Sequence, residues 1–295
     1  KHLNGLITGW RERLIPAHAP SSYLELIQRL DDDFEYEYAG QSFRPTSRVQ
    51  RSGRIYTTMV SSKRNLCFQA QKSKDRALFT WKGESLSSFD VSASQLRIAH
   101  ALRGVVLPFG ISPWDSLHIE HPVMDTLLPE MARELKKTVA LLLVRGERKL
   151  SYKRIWTEKI EAPFEDMPPM GGYQDAVAVA LLTAYPTLNS EIEGIDQTPD
   201  GYAVTHKSES FAKHDIQCRP LGIKTSFRRH PSEPPTEGNI LEGMEAYVMR
   251  QVIRSLPREA PVLTCHDQLY ALEKDIPLIK DQIENQIFNL SHTFM

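Results

Sequence analysis

The sequence predicts a mixed α/β (α+β) fold in which one sheet is assembled from distant parts of the chain. Two observations support this prediction. Strand-like runs lie near Ile55 and Leu263, toward opposite ends of the chain. The long segment between them has mainly the spacing of amphipathic helices. This order favours a sheet that closes around a helical insertion over a run of βαβ units.

The first third of the chain is predicted to form a helix followed by strands. Residues 22–30 have helical spacing, whereas residues 53–60 alternate and are rich in β-branched side chains, which is typical of a strand. Two more strands are predicted over 78–81 and 85–90. Helical spacing resumes immediately afterwards, so Asp90 lies at a strand-to-helix junction. The apolar positions of that next helix are Leu96, Ile98, Ala99 and Leu102.

The middle of the chain is predicted to be helical, and strands return near the end. Long helices are expected over residues 123–144 and 173–184. A Thr-Pro-Asp-Gly turn at 198–201 precedes a strand over 202–206. The final elements are a helix over 239–256, a strand that begins at Pro261, a His266–Gln268 turn, a strand over 269–272 and a helix over 277–288.

Length and composition are those of an ordinary globular protein. The chain has 295 residues, of which 41% are hydrophobic and 25% charged, enough for a core and two intertwined subdomains. Cys67, Cys218 and Cys265 lack C-x-x-C spacing, so we expect a reducing, cytoplasmic setting. No apolar run approaches the roughly 20 residues of a membrane span, so no membrane partner is expected. Because the chain begins at Lys1, we expect a trimmed protein or a fragment of a longer one.

Asp90 and Asp267 are the strongest candidates for catalytic residues. Each stands at the end of a strand-like run, and 177 residues separate them, so only the fold can bring them together. Alone, each is more typical of a cap or turn. A pair of carboxylates, however, is what two divalent ions need for in-line phosphoryl transfer. The pair therefore predicts a site for two Mg²⁺ ions, with Mn²⁺ as a substitute.

Basic residues are concentrated in two blocks, although the formal net charge is only −1. Between Ser42 and Lys82 there are ten Lys or Arg and one acid, Asp75. This block favours phosphate contact over a solvated surface, because aromatic side chains are interleaved with it. These aromatic residues are Tyr56, Phe68, Phe79 and Trp81.

The second basic block, from Arg133 to Arg154, has eight basic and two acidic residues. Arg133 and Lys137 are four residues apart on a predicted helix, so both cations project from one face and could grip the same triphosphate. A solvent-facing basic stripe is the alternative.

Four motifs together resemble the palm and fingers of family A DNA polymerases and of the related bacteriophage-type single-subunit RNA polymerases. In chain order they are Gly53-Arg54, Asp90-Val-Ser92, the helix from Arg133 through Lys137 to Arg145-Gly146, and His266-Asp267. The resemblance covers residues 50–275 and implies a right-hand polymerase with an antiparallel-sheet palm and helical fingers. It divides the chain into an N-terminal extension or partial thumb (1–50), a first part of the palm (51–130), fingers (131–197) and a second part of the palm (198–295).

The resemblance also implies roles for the matching positions. Asp90 and Asp267 would bind the catalytic metals, and Lys137 would also be an acid for the departing pyrophosphate. The residues expected to bind the incoming nucleotide are Arg133, Lys137, Gln95, Leu141 and Arg145. Those expected to bind primer-template nucleic acid are Arg54, Arg97, His266 and Glu242. Either His118 or His121 could reach the triphosphate, and the sequence does not choose between them, although surface packing is favoured for both.

Four positions depart from the family pattern. Gln95 replaces a glutamate that crowds the ribose 2′-hydroxyl in the DNA polymerases, Leu141 a phenylalanine and Arg145 a tyrosine. Glu242 stands where a glutamine would contact nucleic acid, and its charge would be repulsive there unless it is paired. Nucleotide selection is therefore expected to be built differently.

The expected function is that of a DNA polymerase that extends a primer with dNTPs. An RNA polymerase or primase that uses NTPs is one alternative. A catalytically impaired palm that only binds nucleic acid is another, for which the altered Leu141, Arg145 and Glu242 are the argument. Only about 50 residues precede Gly53-Arg54, so we expect low processivity and no exonuclease activity unless an N-terminal domain or an accessory protein supplies them.

Overall fold

The computed structural model describes residues 21–31, 34–50, 52–146, 151–188, 192–198, 201–206, 218, 221 and 237–293. The helices in this part of the chain are α1 (Ser21–Asp31), α2 (Ser73–Arg76), α3 (Ser94–Ala101), α4 (Pro122–Thr126), α5 (Pro129–Val144), α6 (Tyr152–Ile155), α7 (Tyr173–Ala184), α8 (Glu237–Ser255) and α9 (Ile276–Thr293). The strands are β1 (Tyr36–Tyr38), β2 (Gln41–Val49), β3 (Ile55–Val60), β4 (Asn65–Cys67), β5 (Thr80–Trp81), β6 (Glu84–Asp90), β7 (Ile192–Thr198), β8 (Gly201–His206), β9 (Val262–Cys265) and β10 (Gln268–Leu272).

One eight-stranded antiparallel sheet organises the strands, in the order β4-β3-β2-β1-β5-β6-β10-β9. The hairpin of β9 and β10 comes from the end of the chain and pairs with β6 from its first third. The prediction of a mixed α/β fold with a sheet built from distant segments is therefore confirmed. β7 and β8 form a separate two-stranded sheet. The right-hand polymerase architecture and its four-part division stay predictions.

The described residues form two compact units. The first contains residues up to Val91 together with Gly243–Ile287. The second contains Ser92–Glu242 and the residues from Phe288 onward. In the second unit, α5 packs against α7 and α3.

Aromatic and aliphatic side chains of the large sheet form the core of the first unit. Phe68 and Phe79 are fully buried there, and Trp81 packs against the same cluster. Phe68 and Phe79 are therefore core residues, and of the four aromatic residues named above for the first basic block only Tyr56 lies outside this cluster. The buried members also include Phe34, Tyr36, Phe43, Met59, Leu86, Leu263, Cys265, Tyr270 and Leu272.

Side chains bridge β3 and β9, although these strands lie far apart in the strand order. The Gln69 amide nitrogen donates to the carbonyls of Thr264 (2.8 Å) and Ile55 (3.3 Å), and its oxygen accepts from the Thr57 amide (3.1 Å). β4 pairs only with Thr58–Val60. The backbone groups of Ile55 and Thr57 at this edge of β3 therefore have no partner in β4, and the Gln69 side chain binds them instead.

Strand β2 was not predicted, because its alternation is carried by residues that are unusual in strands. Its buried positions are Phe43, Pro45, Ser47 and Val49. The Ser47 amide donates to the Asp31 carboxylate at 2.7 Å, away from β3. Pro45, two residues earlier, directs its nitrogen to the same side, so its missing N–H removes no bond to β3.

The long helix predicted over residues 123–144 is wrong in one respect, because the chain forms two helices there. α4 ends at Thr126, Leu128 is extended (ψ 147°), and α5 begins at Pro129. A residue before proline is displaced from helical conformations, and proline is favoured in the first helical turn. The other predicted helices are present, and the last one is longer than predicted, ending at Thr293. Strand β7 was not predicted. None of the described helices is long and apolar enough to cross a membrane.

Candidate active site

The structure places Asp90 and Asp267 at the same end of two adjacent strands. Asp90 is the last residue of β6 and lies directly opposite Gln268, the first residue of β10. Asp267 immediately precedes Gln268 in the loop between β9 and β10. Strand partners lie about 5 Å apart, so the fold brings together two residues that are remote in sequence.

The turns beside both aspartates have unusual backbone conformations. Cys265 pairs with Gln268, which leaves a two-residue loop in which His266 has a φ of +57°. Positive φ at the first loop residue matches the twist of a tight hairpin but is costly for a residue with a side chain. Ala93, three residues after Asp90, has a φ of +58° at the start of α3. These positions hold a sharp turn without glycine.

Negative charge is crowded around Asp267. Burial is the main cause that raises the pKa of its carboxyl to about 7; the charges of Glu245 and Asp90 act in the same direction, and Arg54 acts against them. The carboxylates therefore repel one another at neutral pH. A cation bound among them would relieve this repulsion.

Asp90 and Asp267 are residues whose carboxylates could hold Mg²⁺. Asp90 is exposed and Asp267 is half-buried, so both are accessible from solvent. Among the described residues, no group of three or more His, Cys, Asp or Glu side chains is arranged to hold a metal. Mg²⁺ is usually bound by one or two carboxylates, with the other ligands coming from substrate phosphates and water, which is what this pair can offer.

Helix α8 holds the Gly53-Arg54 segment through two side chains. The Arg54 Nη2 atom lies 2.5 Å from Glu245 Oε2, and the Arg250 guanidinium donates to the Gly53 carbonyl at 2.8 Å. Gly53 has a φ of +84°, and a β-carbon there would lie 2.2 Å from Arg250 Nη1. The backbone conformation therefore favours glycine, and a side chain there would also displace the Arg250 guanidinium from the Gly53 carbonyl.

His266 lies at the exposed tip of the hairpin. Its ring makes an edge contact with Tyr56 of β3, with ring centroids 6.1 Å apart. In β3, Tyr56 lies directly opposite Arg48 of β2, which is exposed. The structure thus places an aromatic and a basic side chain beside the loop that carries Asp267.

In the second unit, Arg133 and Lys137 lie on one side of α5 and are partly exposed. Arg133 is 3.6 Å from Asp115, and Lys137 is 3.6 Å from Glu134. Exposed ion pairs of this kind contribute little stability, so both cations can exchange these partners for a phosphate.

Lys137, Leu141 and Arg145 line one cleft of about 400 Å³. They recur every four residues along α5, so the same face of the helix lines the cleft throughout. The opposite wall comes from α6 and the π-helical turn that follows it, and includes Arg154 and Lys159. Three residues predicted to bind the nucleotide therefore share one cleft.

Arg145 contacts two of the other positions that differ from the family A polymerase pattern. Arg145 Nη1 donates to Gln95 Oε1 at 3.0 Å, and its Nη2 atom lies 3.9 Å from Glu242 Oε2. Arg145 and Glu242 are 14% and 13% exposed, and Gln95 is buried. The Arg145 carbonyl also accepts from the Gly238 amide at 2.8 Å. Glu242 is thus paired with Arg145, and its contact with nucleic acid stays a prediction.

Arg97 is buried, and its guanidinium holds a loop. It donates to the carbonyls of Ser92, Leu107, Pro108 and Ile111 at 2.8 to 3.0 Å. Its predicted contact with nucleic acid stays a prediction, but these bonds already give it a structural role.

The two candidate histidines differ in their surroundings. His121 precedes α4, where its Nδ1 accepts from the Val123 amide, and its Nε2 lies 2.8 Å from the Gly171 carbonyl. These contacts describe a packing role. His118 is exposed.

Sequence reasoning missed Glu245, Arg250 and Gln69. Glu245 and Arg250 lie on the predicted helix, but 191 residues separate Glu245 from Arg54 and 197 separate Arg250 from Gly53. The sequence did contain one signal for Glu245 and Arg250. Both are charged residues on the apolar side of an amphipathic helix, and such residues require buried partners.

Comparisons of this chain with protein-family models, with curated proteins and with solved structures found no match.

Proposed function

We propose that this protein is a template-directed nucleotidyltransferase that extends the 3′ end of a primer with dNTPs. The observation that carries the proposal is the register of β6 and β10, which brings Asp90 and Asp267 to one end of the sheet. Paired carboxylates with accessible oxygens are the ligand set of two-metal phosphoryl transfer. The basic face of α5 supports the same reading, because the second substrate would be a triphosphate.

Each proposed role follows from what the side chain offers. Asp90 and Asp267 would hold Mg²⁺. When bound, Mg²⁺ would lower the pKa of the primer hydroxyl and offset charge on the leaving pyrophosphate. Arg133 and Lys137 would neutralise the triphosphate, and the Lys137 ammonium would supply a proton to the leaving group. Arg54 and His266 would contact the nucleic acid near the aspartates.

A primer-extension assay tests the proposal. A labelled primer-template with Mg²⁺ or Mn²⁺ and dNTPs should be extended, and a chelator should stop the reaction. Asp90→Asn and Asp267→Asn should each lower incorporation at least a hundredfold, while primer-template binding stays within about threefold. Asp281→Asn, an exposed change on α9, is the matched control.

Two results would contradict the proposal. If the unmodified protein binds the primer-template but incorporates nothing with either metal, a nucleic-acid-binding module is the better description. If Asp267→Asn keeps full activity, the aspartates are not the catalytic pair.

Use of NTPs is a second candidate function, favoured by the pairing of Gln95. The Gln95 amide oxygen is bonded to Arg145, so this position presents neither a carboxylate nor an uncommitted acceptor to a sugar hydroxyl. Parallel incorporation of dNTPs and NTPs on the same primed template separates the two substrates. A preference for NTPs of tenfold or more would identify an RNA polymerase or primase-like enzyme.

A further inference from the structure

Glu245 differs from the other acids near the candidate site in being almost wholly buried. Its side chain is 2% exposed, whereas that of its partner Arg54 is 16% exposed. An isolated carboxylate is expensive to bury, and the guanidinium 2.5 Å away stabilises this one. The ion pair therefore extends from the interior, at Glu245, to the surface, at Arg54.

The backbone that carries Arg54 is held independently of this ion pair. Arg250 binds the Gly53 carbonyl, the Gly53 amide donates to Gln50, and the Gln50 amide donates to the Arg54 carbonyl, both at 2.8 Å. None of these three bonds involves the Glu245 side chain. What Glu245 adds is the position of one side chain, the Arg54 guanidinium.

Arg54 lies close enough to Asp267 for its charge to act on that carboxylate. A fixed guanidinium beside the acidic pair offsets part of its repulsion and can donate to an anionic strand that approaches it. A mobile arginine would be less effective in both roles, because each contact would then cost the conformational entropy of its side chain.

We infer that Glu245 is a positioning residue that fixes the Arg54 guanidinium for contact with the primer-template beside the aspartate pair. The inference rests on the proposed function, since it takes a nucleic acid strand as the ligand. It assigns Glu245 no direct contact with that strand.

The direction in which Glu245→Gln changes the affinity for primer-template distinguishes positioning from a simple effect of charge. Glu245→Gln removes a negative charge, and charge alone would then tighten binding to a polyanion. Positioning predicts the opposite result, because Arg54 loses the group that holds it.

The experiment measures the affinity for a labelled primer-template by fluorescence anisotropy at several salt concentrations, without nucleotide. Glu245→Gln should weaken binding at least fivefold. Arg54→Met should weaken it at least as much and lower the slope of log affinity against log salt by about 1. The double variant should bind no more weakly than Arg54→Met alone, because Glu245 acts through Arg54. Glu84→Gln, an exposed change on β6, should leave the affinity unchanged.

Glu245→Asp keeps the charge but shortens the side chain by one methylene group, so it tests the inference separately if Glu245→Gln does not fold. It should weaken binding at least twofold. Unchanged or tighter binding by the folded Gln variant, or unchanged binding by the Asp variant, would overturn the inference and leave the proposed function standing. No primer-template binding by the unmodified protein would overturn both.

Discussion

At the scale of single residues, Arg145 links three of the positions that differ from the family A polymerase pattern to which the sequence was compared. Gln95, Arg145 and Glu242 look like three separate differences from that pattern in the sequence, yet Arg145 contacts both of the others in the structure. An arginine introduced alone at a largely buried position would need new partners. Glu242 supplies the charge and Gln95 the hydrogen-bond acceptor. The sequence located these residues but could not show that they are partners, because 50 residues or more separate them.

His100 gives a prediction of pH-dependent stability. Burial is the main cause that lowers the pKa of its imidazole to about 4; the bond of Nδ1 to the Leu96 carbonyl opposes this shift, and the charge of Arg103 adds to it. The unfolded chain takes up this proton near pH 6.5, so stability should be lost as the pH falls from 6.5 through 4. The full effect is about 3 kcal/mol.

Urea unfolding at pH 7, 6, 5 and 4 checks this prediction against a His100→Gln variant. The free energy of unfolding of the unmodified protein should fall more steeply than that of the variant over this range. Parallel pH profiles would show that His100 does not contribute.

At the scale of elements, apolar periodicity predicted most helices and strands, and the failures have physical causes. β2 was missed because proline and serine occupy two of its buried positions. α4 and α5 were joined because the apolar pattern continues across Pro129 while the backbone does not. The bridge from β3 to β9 was beyond prediction, since it depends on one glutamine 195 residues from its partner Thr264.

Gln69 should be important for stability, because it satisfies backbone groups of both strands that it joins. Gln69→Met keeps the length of the side chain but leaves the Thr57 amide and the Thr264 carbonyl without it. We expect a loss of about 2–3 kcal/mol in the free energy of unfolding, measured in urea. Gln28→Met on the exposed face of α1 is the matched control. A loss below about 0.5 kcal/mol would mean that water replaces the bridge.

At the scale of the whole molecule, a net charge of −1 conceals local asymmetry. Carboxylates meet at one end of the large sheet in the first unit, and cations line the cleft beside α5 in the second. The sequence showed the basic blocks and the two aspartates. It could not show that Glu245 joins the acidic group, because that depends on the packing of α8.

Thermal unfolding with and without Mg²⁺ tests most directly whether Asp90 and Asp267 form one cation site. Mg²⁺ at about a hundred times its dissociation constant should raise the unfolding temperature of the unmodified protein by roughly 5 °C. Asp267→Asn should unfold at a higher temperature than the unmodified protein in chelator, because a repelled charge is removed, and should gain nothing from Mg²⁺. Asp90→Asn should also lose the Mg²⁺ effect, while Asp281→Asn should keep it. An undiminished Mg²⁺ shift in Asp90→Asn or Asp267→Asn would contradict the account.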